Sequence, residues 1–259
     1  MKDLLRKSIL FLLTLSIGFG SCKKDPIDEQ IDNNTPSLPS TGKIIVTSIA
    51  GEVLDGSGNP VLGATVTIGS NTKQTNSNGL FFFSNVSVDE NKAFIKVVKN
   101  GYFLGSRNIA TRKNSTASVK IILLSNTHIG SFSSSSGGTI SNSGVSLNFP
   151  ANSVKNEGGG LYSGTVNVSL SYLNPNNSDI MDKMPGDLRA LTTTNEEKLL
   201  ETFGMVAIEL TSQTGQKLNV ANGKKVELTI PLSGTYLTEA PSTIPLWYFD
   251  ETKGIWREE

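Results

Sequence analysis

The stretch Gly51–Ile68, GEVLDGSGNPVLGATVTI, shows most clearly how the N-terminal half of the chain folds. It contains two runs of alternating apolar and polar residues on either side of DGSGNP (Asp55–Pro60). Alternation with a period of two is typical of β-strands that bury one face. Asp, Gly, Asn and Pro are the residues that tight turns require. The stretch therefore predicts two strands joined by a tight turn.

The same pattern continues on both sides of this stretch, over residues 44–124. The runs IIVTSIAGEVLD, ATVTIG, AFIKVVKNGY and ASVKIILL all alternate, and turn residues separate them. Asn78-Gly79 stands between two further strand-like runs, which predicts a β-hairpin. About six short strands, spaced roughly ten residues apart, predict an antiparallel β-sandwich.

These residues resemble the carboxypeptidase regulatory-like domain, which is a transthyretin-like, Greek-key β-sandwich. The resemblance implies a non-catalytic folding or accessory module, and the peptidase domain that gives the family its name has no counterpart in this chain. The positions that match are Gly51, Val53, Asp55, Gly58, Pro60, Gly63, Ala64, Val66, Asn78, Gly79, Phe81, Phe83, Val86, Gly101 and Tyr102.

The C-terminal half, residues 139–259, has a β-like pattern of its own. The runs GTISNSGVSLNFP, GTVNVSLSYLNP and KKVELTIPL predict a second β-sandwich, so the chain is expected to be all-β with two consecutive sandwich domains. The Ser/Gly-rich residues 125–138 predict a linker between the two domains, with or without a strand at its end. Thr194–Gly204, TNEEKLLETFG, predicts one short helix or none.

The second half also carries a family resemblance. GGTISNSGVSLNFPANSV is similar to the β-sandwich module of ankyrin-type and netrin-receptor proteins. LETFGMVAIELTSQTGQKLNVANGKKVELTIPL and the C-terminal IPLWYFDETKGIWREE are similar to astroprincin-type proteins and cartilage intermediate layer proteins. In such sequences a glycine and further strands follow the equivalent of WREE. The resemblance therefore implies a further piece of the second domain after Glu259.

The N-terminus has the layout of a secretory leader, expected to comprise residues 1–21. A basic region contains Lys2, Arg6 and Lys7, and the apolar run Ile9–Phe19 follows it. The apolar run is shorter than the roughly 20 residues that a membrane-spanning helix needs. Removal of residues 1–21 leaves a chain that begins at Cys22, the only cysteine in the sequence.

Phe19-Gly20-Ser21-Cys22 resembles the lipobox of bacterial lipoproteins, in which the cysteine thiol is acylated and becomes the new N-terminus. The resemblance implies that Cys22 anchors the protein to the outer membrane, facing either the periplasm or the cell surface; the alternative is an ordinary secretory leader with an incidental cysteine. Residues 22–43 are polar and rich in proline, which predicts a disordered tether. The early charges of this tether resemble the export signals of Bacteroidetes-type surface lipoproteins, although a solvated linker explains them equally well.

The sequence contains no recognisable catalytic motif, so we expect a protein that is not an enzyme and has no cofactor. The formal net charge of zero argues against nucleic acid as a partner. The one histidine, His128, lies in the predicted linker and has no zinc-ligand partners at suitable spacing. The Asx-rich stretches DGSGN and NPNNSDIMD offer oxygen atoms to calcium, but turns are the simpler interpretation.

The aromatic residues near the C-terminus leave two interpretations open. Asp250–Gly254 predicts a hairpin turn that brings Trp256 back toward Trp247 and Tyr248. These three side chains are candidates for stacking against a sugar, or alternatively they form a core strand. The expected function is that of a lipid-anchored binding or structural module that contacts proteins or glycans. The alternative function is a carbohydrate-binding accessory lipoprotein of a glycan-uptake system.

Overall fold

The computed structural model describes the backbone of residues 9–16 and 42–259, with the side chains of 42–259 except Thr235. The described residues form nineteen β-strands, one α-helix of four residues and one 3₁₀ turn. The prediction of an all-β sandwich fold is therefore confirmed. Strands of the first part are β1 (Ile9–Ser16), β2 (Ile44–Leu54), β3 (Thr65–Ile68), β4 (Asn71–Gln74), β5 (Leu80–Asp89), β6 (Ala93–Val98), β7 (Gly105–Ile109) and β8 (Thr116–Ile122).

Strands β2–β8 form a sandwich of two sheets, with strand orders β5-β2-β8 and β4-β3-β6-β7. Alternate side chains point into the core, as on β5, where Phe81 and Phe83 are buried and Phe82 between them is exposed. The pairing of β2 with β8 is parallel and joins Ser48–Leu54 to Thr116–Ile122. This pairing departs from a fully antiparallel sandwich because β7 lies in the opposite sheet, so the chain crosses over before β8 begins.

The turn at Asn78-Gly79 forms as predicted, but it does not make a hairpin. The Asn76 side-chain oxygen Oδ1 accepts hydrogen bonds from the backbone N–H groups of Asn78 (2.9 Å) and Leu80 (3.0 Å). Gly79 has a φ of 70°, and a Cβ there would lie 2.5 Å from the carbonyl oxygen of Val53. The strands on either side, β4 and β5, belong to different sheets. The turn therefore carries the chain from one sheet of the sandwich to the other.

The second half contains the remaining eleven strands and the helix α1 (Ile180–Lys183). They are β9 (His128–Ser133), β10 (Gly138–Asn142), β11 (Val145–Phe149), β12 (Val154–Asn156), β13 (Thr165–Leu173), β14 (Arg189–Leu191), β15 (Glu197–Ser212), β16 (Lys217–Val220), β17 (Glu227–Thr229), β18 (Leu246–Asp250) and β19 (Ile255–Glu258).

A large sheet built around β15 organises this half. Its strand order is β1-β18-β19-β14-β15-β13-β9, and a further pairing of β1 with β15 closes the first five strands into a ring. A small sheet, β10-β11-β17, covers one face, and its Leu147 shares a buried apolar cluster with Val166 and Val206 of the large sheet. A second cluster fills the ring and includes Met205 and Trp247.

Two segments contribute strands to the large sheet: residues 125–138, predicted as a linker, and Thr194–Gly204, predicted as one short helix or none. Residues 125–138 do not form a free linker, because they contain β9, which pairs with β13 along its length. Thr194–Gly204 forms no helix, because Glu197 onward belongs to β15 and pairs with both β14 and β1. The helix-favouring Glu, Lys and Leu residues are overruled by these tertiary pairings. The short helix of this half lies earlier, at α1.

The two halves are joined by a shared core and by buried hydrogen bonds. Phe103 of the first half belongs to the same apolar cluster as Trp247 and Trp256 of the second. Asn108 Nδ2 donates a hydrogen bond to the carbonyl oxygen of Gly254 (2.7 Å). The backbone N–H of Asn108 donates to the carbonyl of Gly186 (3.1 Å), and Gly186 donates in return to the carbonyl of Ser106 (3.0 Å). These contacts fix the halves relative to each other.

We predict that Phe83→Ala lowers the free energy of unfolding by about 3–5 kcal/mol, because it leaves a cavity in the first sandwich. Phe82→Ala is the matched control, one residue away on the opposite face of the same strand. Phe82 is 49 % exposed, against 2 % for Phe83, so the expected loss is about 1 kcal/mol or less. Chemical denaturation followed by circular dichroism measures both values. Equal losses for the two variants would contradict the assigned register of β5.

Candidate functional site

The aromatic residues singled out by the sequence lie mainly in the core. Trp247 is 2 % exposed and Trp256 is fully buried. The Trp256 indole Nε1 donates a hydrogen bond to the carbonyl of Asp187 (2.7 Å), and its ring packs edge-to-face on Phe249 at 5.3 Å between centroids. Both tryptophans are therefore core residues, and neither ring is accessible to a ligand. Tyr248, which pairs with Arg257 of β19, is half-buried.

The predicted hairpin at Asp250–Gly254 is confirmed. β18 and β19 pair antiparallel, with Trp247 opposite Glu258 and Asp250 opposite Ile255. The Asp250 carboxylate caps the turn by accepting hydrogen bonds from the N–H groups of Thr252 and Lys253, both at 3.0 Å. This hairpin brings the tryptophans together as expected, but it brings them together inside the protein.

A cleft of about 390 Å³ lies where the two halves meet, and we call it the interdomain cleft. Its lining combines tyrosine rings, serine and asparagine side chains and two carboxylates. The lining residues are Asp55, Gly56, Ser57, Tyr102, Leu123, Leu124, Ser125, Ser171, Tyr172, Leu173, Asn174, Asn177, Asp179, Ile180 and Lys183. Its volume falls within the range of small-molecule binding sites.

The first wall of the cleft is the tight turn at Asp55–Pro60, which forms as predicted. The Asp55 Oδ1 atom accepts hydrogen bonds from the N–H groups of Ser57 (2.8 Å) and Asn59 (2.9 Å). The Asn59 side chain adds a bond to Oδ2 at 3.1 Å. The hydrogen bonds from Asn59 lower the pKa of the Asp55 carboxyl, and the bond from the Asn59 backbone has a larger effect than the bond from its side chain. Asp55 therefore presents a fixed negative charge at the edge of the cleft.

The opposite wall runs from the end of β13 into α1. Asn174 Oδ1 accepts a hydrogen bond from the N–H of Asn176 (2.9 Å), which folds the chain back toward the cleft. Asp179 Oδ2 forms an ion pair with Lys183 Nζ at 2.7 Å, one helical turn further on. Asp179 Oδ1 is buried and makes no hydrogen bond within the described residues. This carboxylate therefore keeps unused capacity to accept a hydrogen bond.

Two half-buried tyrosines, Tyr102 and Tyr172, supply the aromatic surface of the cleft. Tyr102 packs against the core of the first sandwich, and Tyr172 packs against the core of the second. The Tyr172 hydroxyl donates a hydrogen bond to the carbonyl of Pro231 (3.2 Å), and burial raises the pKa of this phenol. Gly204 allows the ring to approach, since a Cβ there would lie 3.2 Å from Tyr172 Cε2.

The groups in this lining are able to contact the hydroxyl groups and the apolar faces of a polar molecule. Hydroxyl groups of such a ligand can donate to carboxylates and accept from amide groups, while tyrosine rings cover its apolar faces. Among the described residues, no three His, Cys, Asp or Glu side chains are grouped in a way that could hold a metal ion. His128 lies on β9, where its Nε2 hydrogen-bonds with Ser131 Oγ (2.8 Å).

Comparisons with known proteins find partial similarity only. Over 114 residues, 44 % of this chain, it is 27 % identical to human cartilage intermediate layer protein 1, and 25 % identical to human cartilage intermediate layer protein 2. The aligned segment is 9 % of the length of the first relative and 10 % of the second. These relatives belong to one of the families that the sequence analysis names. No family model matches the chain, so the carboxypeptidase regulatory-like assignment stays a prediction.

Similarity to solved structures is low. One is a Bacteroides uniformis protein described as a "putative carbohydrate binding protein", with 11 % identity and a TM-score of 0.26 over 71 % of this chain and 98 % of that one. Another is a DUF3823 family protein from Bacteroides ovatus, with 10 % identity and a TM-score of 0.21 over 71 % of this chain and 97 % of that one. Scores at this level carry no inference about this chain.

The sequence predicts only some of the residues that line the interdomain cleft. DGSGN and NPNNSDIMD, which the sequence offers as turns, face each other across the cleft. Tyr102 stands in a motif of the first half and Asp179 in the second Asx-rich stretch, whereas Tyr172 belongs to a plain strand-like run. The relevant signal was the pair of Asx-rich stretches, but only the packing of the two halves shows that they meet. Cys22, the predicted site of lipidation, lies outside the described residues.

We predict that the stabilising contribution of the Tyr172 hydroxyl depends on pH. Because its folded-state pKa is raised, the contribution is complete below the ordinary tyrosine pKa of about 10 and is lost as pH rises through the higher folded-state value. Tyr172→Phe should therefore cost about 1 kcal/mol of unfolding free energy at neutral pH, and less above pH 10. Chemical denaturation across this pH range gives the difference. A difference that does not change with pH would refute the assignment.

Proposed function

We propose that this chain is a non-catalytic binding protein of the bacterial cell envelope, anchored to the outer membrane by an acylated Cys22, and that the interdomain cleft holds a glycan. The observation that carries this proposal is the lining of the cleft, which combines two tyrosine rings with carboxylate and amide groups from both halves. Sugars present the matching chemistry, with hydroxyl groups around the edge of a ring and C–H groups on its faces.

The rigidity of the cleft supports this role. Its walls belong to different halves, yet the shared cluster around Phe103 and the hydrogen bonds of Asn108 hold them in one arrangement. The Asx turn at Asp55 and the ion pair between Asp179 and Lys183 fix the polar groups within each wall. A site that is already formed loses little conformational entropy when its ligand binds.

The anchor is supported by the sequence of the N-terminus. The leader ends in Phe19-Gly20-Ser21 and Cys22 follows it. A lone thiol in an oxidising compartment is chemically stable once it carries a lipid. The several acyl chains of a lipoprotein hold a protein at a membrane without a spanning segment. No helix within the described part of the chain has the length and hydrophobicity to cross a bilayer.

For the anchor, we predict that Cys22→Ser moves the protein from the membrane fraction to the soluble fraction, because the hydroxyl of serine is not a substrate for lipidation. Metabolic labelling with a fatty acid should mark the natural protein and not the variant. Ser21→Ala is the matched control, since it keeps both the cysteine and a small residue before it. Membrane retention of Cys22→Ser would refute the anchor.

For the cleft, we predict that Asn177→Ala weakens binding to a glycan selected on a polysaccharide array by about tenfold, the equivalent of one lost hydrogen bond. Asn177 is exposed at the cleft wall, so the substitution should leave the fold unchanged. Asn78→Ala is the control, because Asn78 is an exposed turn asparagine outside the cleft. Titration calorimetry measures the affinities. Binding that is absent from the natural protein, or equal in the two variants, would contradict a glycan site in the cleft.

A further inference from the structure

One wall of the interdomain cleft depends on α1, which is a single helical turn. Asp179, Ile180 and Lys183, from this turn and its N-terminal cap, line the cleft. A single turn is not stable by itself, because it has too few hydrogen bonds to offset the entropy lost in forming it. The Asp179 side chain makes no capping hydrogen bond, and none of the residues Ile180–Lys183 is buried. The position of α1 must therefore come from contacts with its surroundings.

The segment that contains α1 is anchored on either side of the helical turn. Before the turn, Asn176 Nδ2 donates a hydrogen bond to Ser233 Oγ (2.6 Å). After the turn, Met184 is buried in the apolar cluster that fills the ring. Gly186, two residues later, exchanges backbone hydrogen bonds with β7 of the first half. These anchors lie outside α1, so the turn between them needs a contact of its own.

A lysine of the first half makes such a contact with α1. Lys120 Nζ, on β8, forms an ion pair with Asp182 Oδ2 at 3.1 Å, and α1 lies beside β8. Asp179 and Lys183, which pair with each other, line the cleft, whereas Asp182 is not part of its lining. The turn therefore directs one carboxylate toward the first half and presents its other charged groups to the cleft.

Asp182 is also attracted by a second cation of the first half, Arg107 on β7. Burial lowers the pKa of the Arg107 guanidinium, and the carboxylates of Asp182 and Asp187 oppose this effect. The Asp182 carboxylate therefore faces Lys120 in direct contact and Arg107 at longer range. Loss of the Lys120 charge alone should loosen α1 rather than release it, because the attraction of Arg107 remains.

We propose that Lys120 is a positioning residue for the interdomain cleft: through Asp182 it holds α1, and with it one wall of the cleft, in the geometry that binds the ligand. This inference rests on the proposed function, because it concerns the same cleft. Lys120 does not line the cleft itself, so it acts through α1. Because both partners of the ion pair are partly exposed, its contribution is modest and decreases at high salt.

Amide hydrogen exchange of the full chain without ligand tests the positioning directly. The N–H groups of Asp182, Lys183 and Met184 donate to backbone carbonyls of the turn, so their exchange reports its opening. Lys120→Met keeps a long side chain without the charge, and it should speed this exchange about threefold to fivefold. Lys120→Arg should restore the natural rate, because it supplies a cation of similar reach. At high salt the natural protein should approach the rate of Lys120→Met.

The same variants are then compared for binding to the glycan selected on the polysaccharide array. Lys120→Met should weaken binding about threefold to fivefold, and Lys120→Arg should bind within about twofold of the natural protein. Lys198→Met is the matched control, because the ion pair of Lys198 with Glu196 (3.4 Å) joins two residues outside the cleft lining. The control should change neither the exchange of α1 nor the affinity.

Three exchange results would overturn the proposal. Unchanged exchange in Lys120→Met would show that α1 does not need the ion pair. Exchange that rises equally in the strands of the first sandwich would show a general loss of stability instead of a local one. Failure of Lys120→Arg to restore the natural rate would show that the charge at this position does not hold the turn.

The two measurements together separate this proposal from the proposed function. Faster exchange in Lys120→Met with unchanged glycan affinity would refute the positioning role and leave the glycan site intact. A natural protein that binds no glycan would refute the proposed function. In that case the exchange of α1 alone decides whether Lys120 holds this wall of the cleft.

Discussion

Backbone pairing along β15 is the constraint on which the second half of this protein depends. The strand runs from Glu197 to Ser212 and pairs with β13, β14, β16 and β1 along its length. At its centre it is buried on both faces, so a polar group there would have no access to water. The small sheet, the ring of strands and the core tryptophans all take their positions from this strand. A strand of this length with two buried faces must be paired on both edges, and that need gives β1 its place.

Much of the fold could be read from the sequence because the first half obeys local rules. Alternation on β5 places Phe81 and Phe83 inside, and Asp55 and Asn59 build their turn with their own side chains. Local rules failed where long-range pairing decides the outcome. The Glu, Lys and Leu residues near the start of β15 favour a helix in isolation, but β14 and β1 offer them ladder partners. The serines of residues 125–138 are typical of a linker, yet His128–Ser133 of this segment pair with β13 as strand β9.

The candidate site was harder to predict than the fold because it belongs to neither half alone. Asp55 and Asp179 stand far apart in sequence, and no spacing rule relates them. Trp247 and Trp256 are residue types that often bind sugars. Burial of such large rings in the core stabilises the fold more than exposure at the surface does. Tyrosine serves better at the cleft, because Tyr172 can bury its ring against the core and still satisfy its hydroxyl with the carbonyl of Pro231.

The parallel pairing of β2 with β8 has a mechanical consequence. Residue 44, the start of β2, follows the proposed membrane tether, and Ile122, the end of β8, leads into the second half. A ligand that pulls on the second half while the N-terminus is held would draw these two strands in opposite directions along their length. Because the strands are parallel, the load would act as shear on all the pairings from Ser48 to Leu54 at once. Strands loaded in this way resist separation better than strands peeled apart one bond at a time, so with the N-terminus held the first sandwich would withstand such a load.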